Sequence, residues 1–150
     1  MNPNQQNHQI HGQNIVACVW DFDKTLIPGY MQKPLFLHYG INEKAFWAEV
    51  NQLPALYLKR GMKVSSDTIY LNHLLSYVKN GPMRGLTNKK LEEFGKEIEF
   101  YPGLPNFFNE LSQIALDQEF KPYDFKIEHY IISTGILKII KGTKIAPYVE

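Results

Sequence analysis

Six apolar residues in unbroken succession, Ile15-Val16-Ala17-Cys18-Val19-Trp20, run straight into the polar stretch Asp21-Phe22-Asp23-Lys24-Thr25. A continuous, β-branched run without alternation predicts a strand buried on both faces, the environment of a parallel sheet in an α/β fold. Its carboxyl end delivers two carboxylates, Asp21 and Asp23, at the place where open α/β sheets bind ligands. Few other features of the chain constrain it as tightly.

Composition narrows the class. The 150 residues are 44% hydrophobic and 21% charged, which suits one soluble globular domain and excludes disorder, collagen and coiled coil. Sixteen Lys+Arg against fifteen Asp+Glu leave a net charge of +1, so neither a nucleic acid nor a membrane is expected as a partner. No apolar run approaches the ~20 residues that span a bilayer, and the N-terminus lacks the pattern of a secretion signal. The single cysteine, Cys18, has no internal partner for a disulfide. A cytoplasmic protein is expected.

Residues 1–14 are almost entirely polar and read as a loose tail, in which His8 and His11 are ordinary polar residues. From 34 to 98 the pattern turns helical. Asn42 is placed to cap a helix bearing Phe46 and Val50 that Pro54 interrupts. Ser65 or Ser66 caps a second, carrying Ile69, Tyr70 and Leu74 and stopped by Gly81. Thr87 caps a third, with Leu91, Phe94 and Ile98. Their apolar stripes must pack on one another, so this stretch is a small helical module. A turn at Tyr101–Pro105 and a helix through Phe107 and Ile114 follow. Ile127–Ile132 is a second strand, ending at Ser133-Thr134-Gly135. Ile136–Ile140 opens another helix, and Ile145–Val149 is extended.

Residues two apart on an extended backbone point the same way, so Asp21 and Asp23 address one site. Two like charges so close call for a cation or a shared proton, and magnesium suits them as a hard ion taking one or two carboxylates plus phosphate oxygens and waters. An ionised Asp also serves as a nucleophile in phosphoryl transfer, with a second carboxyl as general acid and base. A calcium loop beginning at Asp21 is excluded, because Leu26 and Gln32 stand where it needs Gly and Glu. A cysteine phosphatase built on Cys18 is disfavoured by the two carboxylates that follow it. His38, His73 and His129 lack the spacing of metal ligands. Arg60, Arg84, Lys59 and Lys63 read as surface charges, and Phe36, Tyr39, Phe46 and Trp47 as core of the helical module.

With Thr25 completing an Asp-x-Asp-x-Thr pattern after the strand, the sequence resembles the haloacid dehalogenase-like superfamily of magnesium-dependent phosphatases, closest to its phosphoserine-phosphatase-like branch. The HYIISTG stretch, with Ser133 at the strand end, matches that family's second motif. The resemblance implies a Rossmann-like parallel sheet core, residues 15–33 and 99–150, with an inserted helical cap at 34–98. It implies Asp21 as nucleophile and Mg2+ ligand, and Asp23 as general acid/base that reaches the metal through its backbone carbonyl. Ser133, with the backbone of Thr134 and Gly135, would bind the phosphoryl group of a small phosphomonoester. Lys24 stands where many members carry Gly. The family's later Lys and acidic motifs have no match, since Lys138, Lys141 and Lys144 read as a solvated helix face and Glu150 is the sole acid after Gly135. By the resemblance, then, the chain is the N-terminal part of a longer phosphatase with an incomplete sheet. The alternatives are an inactive fragment, a phosphate- or magnesium-binding module, or a short chain that completes its sheet with a second copy.

Overall fold

The computed structural model describes residues 14–150, so the polar tail, apart from Asn14, lies outside the described residues. The fold is mixed α/β and mostly helical, around a two-stranded parallel sheet. Strand β1 is Ile15–Trp20 and β2 is Lys126–Ile131, paired from Ile15 opposite Lys126 to Trp20 opposite Ile131. Between them come helices α1 (Lys33–His38), α2 (Glu43–Lys59), α3 (Ile69–Asn80), α4 (Asn88–Gly95) and α5 (Asn106–Ile114). Helix α6 (Leu137–Gly142) and a 3-10 turn at Ala146–Tyr148 follow β2. Among the described residues no helix is long and apolar enough to cross a membrane.

Apolar side chains gather in two clusters. One joins Phe22, Leu26, Ile27, Met31, Ile98, Phe108, Ile139, Ile140 and Ile145, and so spans the segments around both strands. The other joins Leu35, Phe36, Phe46, Val50, Ile69, Tyr70, Leu74, Met83 and Phe94, all from α1 to α4. Within it the Phe36 and Phe46 rings lie 4.8 Å apart, which puts these aromatics in a core. Leu91 and Ile136 touch both clusters. Helix α4 also crosses α6 at backbone contact. A Cβ on Gly95 would collide with the Ile139 carbonyl, and one on Gly142 with the Glu92 carbonyl, so only glycine permits this approach.

The capping chemistry follows the sequence at two helices. Asn42 Oδ1 accepts from the Ala45 amide at 2.9 Å, and Thr87 Oγ1 from the Lys90 amide at 3.3 Å. Gly81 ends α3 as expected. Elsewhere the structure corrects the expectation. Helix α2 runs through Pro54 to Lys59, because packing of Phe46 and Val50 anchors its first half and outweighs the lost hydrogen bond. Helix α3 begins at Ile69 behind Thr68, with the two serines in the preceding turn. Helix α4 stops at Gly95, before Ile98, and Ile145–Val149 contains a 3-10 turn in place of an extended segment.

The largest correction concerns β1. Its run was expected to be buried on both faces, yet Ile15, Val16 and Val19 are 50 to 55% exposed. The face carrying Val16, Cys18, Trp20 and His129 is covered by α5 toward its Trp20 end, where the Phe107 and Phe108 rings stand 6.0 and 5.8 Å from the Trp20 ring, and is open at Val16. There Trp20 Nε1 donates to His129 Nδ1 at 3.3 Å, which leaves the His129 Nε2 proton for the Phe108 carbonyl at 3.1 Å. His129 is thus a satisfied core residue. The face carrying Ile15, Ala17 and Val19 has no helix over it among the described residues.

Candidate functional site

Beyond Trp20 and Ile131 the parallel register continues for one more bond, from the Ile132 amide to the Trp20 carbonyl at 2.9 Å. The segments that follow, from Asp21 and from Ser133, therefore leave the sheet side by side at its carboxyl edge. Phe22 is fully buried, so strand-like alternation sends the flanking Asp21 and Asp23 to the opposite side. Asp21 is exposed and Asp23 half-buried. The chain then tightens into a turn, in which the Phe22 carbonyl takes the amides of Thr25, Leu26 and Ile27 at 3.0 to 3.4 Å. Lys24 adopts a left-handed backbone, φ 62°, to make this turn.

Each carboxylate is held by one oxygen. Thr25 Oγ1 donates to Asp21 Oδ2 at 2.9 Å, and the Met31 amide donates to Asp23 Oδ1 at 2.9 Å. Oδ1 of Asp21 and Oδ2 of Asp23 are left for other work. Burial, reinforced by the charge of Asp21, raises the Asp23 pKa above its ordinary value, against the pull of the Met31 amide and of Lys24. The Lys24 ammonium is itself engaged, donating to Tyr30 Oη at 2.7 Å and lying 4.2 Å from the Tyr30 ring centroid.

The second loop is secured from three directions. Gly135 donates its amide to Ser133 Oγ at 3.0 Å, and the Ile136 amide points at Met31 Sδ at 3.1 Å. The Met31 thioether fills the space a Cβ on Gly135 would need, so a larger residue there would have to displace the Met31 side chain. From α3, Tyr70 Oη donates to the Thr134 carbonyl at 2.8 Å and accepts from Gln32 Nε2 at 3.3 Å. Gln32 is almost wholly buried, and its Oε1 has no hydrogen-bond partner among the described residues. Burial and the charge of Asp23 push the Tyr70 hydroxyl up to about 12, so it stays a donor throughout the ordinary pH range.

Asp21, Asp23, Ser133, Thr134 and Gly135 thus share one edge of the molecule. Beside them Met31, Gln32 and Tyr70 join the site unannounced by the sequence. Met31 binds Asp23 through its amide and the second loop through its sulfur. Of the lysines after Gly135, Lys138 pairs with Glu92 at 2.8 Å and Lys144 lies over the Phe100 ring, while Lys141 lines the cavity that holds Ser133 and Gly135. Among the described residues no cluster of three or more His, Cys, Asp or Glu forms. Two carboxylates are nonetheless within what magnesium accepts, because that ion keeps waters and takes phosphate oxygens. A cavity of about 210 Å³ opens beside Ser133 and Gly135. The larger hollow, about 750 Å³, lies on the outside of α1 and α2 and holds none of this chemistry.

No protein-family model matches the chain, and no solved structure does. A protein of Borreliella burgdorferi described as "Uncharacterized protein" is 41% identical over 139 residues, covering 92% of this chain and 48% of its own length. The chain therefore spans about half the length of the curated relative it matches.

Proposed function

We propose that the chain carries the nucleophile half of a magnesium-dependent phosphohydrolase of the haloacid dehalogenase-like kind, acting on a small phosphomonoester. The observation that carries this reading is the pair Asp21 and Asp23, split by buried Phe22 and opening beside the Ser133 loop. The two-stranded parallel sheet would be part of a Rossmann-like core, and the module of α1 to α4 its cap.

Magnesium, held by Asp21 and by the backbone carbonyl of Asp23, would neutralise phosphoryl charge and let an anion approach an anion. Thr25 fixes Asp21 Oδ2 and so aims Oδ1 at phosphorus. Attack forms a phosphorus–oxygen bond to Asp21 as the substrate's ester bond breaks. Asp23, whose raised pKa favours the protonated form, gives its proton to the leaving oxygen. The resulting carboxylate then takes a proton from water, which attacks the aspartyl-phosphate and frees Asp21 and inorganic phosphate. Ser133 Oγ–H and the Gly135 amide supply donors to phosphoryl oxygens. Without ligand the Gly135 amide donates to Ser133 Oγ while the Ser133 hydroxyl keeps its own proton to donate, so both donors face the side of the loop on which a phosphoryl oxygen would enter.

A second reading, magnesium and phosphate binding without turnover, is favoured by the engagement of Lys138 with Glu92 and of Lys24 with Tyr30. Neither is free to clamp a phosphoryl group. Incubation with an aryl phosphate and Mg2+, followed by acid quench and peptide mass spectrometry, separates the two readings. A phosphoryl group on Asp21, absent from Asp21→Asn, supports the hydrolase. Phosphate binding with no modified Asp21 supports the binding module.

A further inference from the structure

We infer that Tyr70 is a positioning residue through which the α1–α4 module sets the donor geometry of the Ser133–Gly135 loop, an inference that rests on the phosphate-binding role proposed for that loop. Tyr70 belongs to α3, sixty-four residues before Thr134, yet its hydroxyl makes the polar contact that joins this module to the loop backbone. The direction of the bond is fixed. The Thr134 carbonyl can only accept, so in that bond Tyr70 donates its single proton.

The consequence lies in the peptide plane. The Thr134 carbonyl and the Gly135 amide belong to one planar trans unit and point in opposite directions. Drawing the carbonyl toward Tyr70 therefore turns the Gly135 N–H away from the module and toward Ser133 Oγ. Gly135 lacks the Cβ that would otherwise restrict its backbone, so the loop does not hold that plane by itself. Tyr70 is buried, with 5% exposure, so water does not substitute for its hydroxyl easily. Displacement of α3 would release the plane and with it a phosphoryl donor, which couples the position of the helical module to anion affinity.

Tyr70→Phe keeps the ring and deletes the proton. Tyr77→Phe serves as the control, since it makes the same change on the same helix where the hydroxyl meets Glu49 instead. Two readouts are taken: amide hydrogen exchange at Gly135 and Ile136 without ligand, and the Kd for inorganic phosphate in Mg2+. In Tyr70→Phe the expected result is roughly tenfold faster exchange at Gly135 and roughly tenfold weaker phosphate binding. Tyr77→Phe should match the wild type in both, with similar Tm values for the two variants. Unchanged exchange and Kd in Tyr70→Phe overturn the inference, as does an equal loss in Tyr77→Phe. A wild-type protein that binds no phosphate contradicts the proposed function instead, while the ligand-free exchange comparison still decides whether Tyr70 holds the loop.

Discussion

Asp23 is held in an environment that prefers its proton, and this has a consequence for stability as well as chemistry. Its folded pKa lies above the ordinary value because of burial and the charge of Asp21. The native state therefore binds that proton more tightly than the unfolded chain. The contribution to stability is full below the unfolded pKa and is lost as pH rises through the folded pKa. Asp23→Asn keeps an acceptor for the Met31 amide and removes the ionisable group. Thermal melts should show Asp23→Asn with a higher Tm than wild type at pH 7, the gap closing toward pH 3, together with loss of any hydrolysis. Carboxylates, Thr25 and the Ser133-Thr134-Gly135 run were legible because each sits in a short linear pattern at a strand end. Tyr70 and Gln32 were not, since Tyr70 stood in an apolar helical stripe as any core aromatic would. Only tertiary structure brings its hydroxyl to a carbonyl sixty-four residues away.

At the scale of elements, local chemistry told most where it was self-contained. Asn42 and Thr87 cap their helices as their side chains dictate, and Gly81 stops α3. Pro54 misled because its cost is local while the packing that overrides it is not. Inside α2 it supplies no amide to the Val50 carbonyl, and its ring crowds the preceding turn. Pro54→Ala should restore that bond and stabilise the protein by about 1–3 kcal/mol, measured by urea unfolding. A decrease in stability would mean that the proline ring itself packs to advantage. The same contrast explains the end of the chain. The Ile145–Val149 apolar run looked extended, but Pro147 within it suits a 3-10 turn that buries Ile145.

For the molecule as a whole, a parallel sheet was readable from the apolar runs, and its exposure was not. The β1 run has the composition of an inner strand, yet among the described residues one of its faces is bare and β2 is its one partner strand. Exposed apolar surface of this kind binds hydrophobic dyes. The double substitution Ile15→Lys and Val19→Lys should lower anilinonaphthalene sulfonate fluorescence severalfold while shifting stability by less than about 1 kcal/mol, since neither side chain is buried. Fluorescence that does not change would place the dye-binding surface elsewhere. The chemistry proposed for the sheet's carboxyl edge rests on Asp21 as the nucleophile. It is tested most directly by the rate of p-nitrophenyl phosphate hydrolysis with and without Mg2+, in the wild type and in Asp21→Asn. Turnover should need Mg2+ and fall by at least about 10³-fold in the variant, the loss expected when a nucleophile is removed. Equal rates in the two proteins, or the absence of turnover in both, would contradict it.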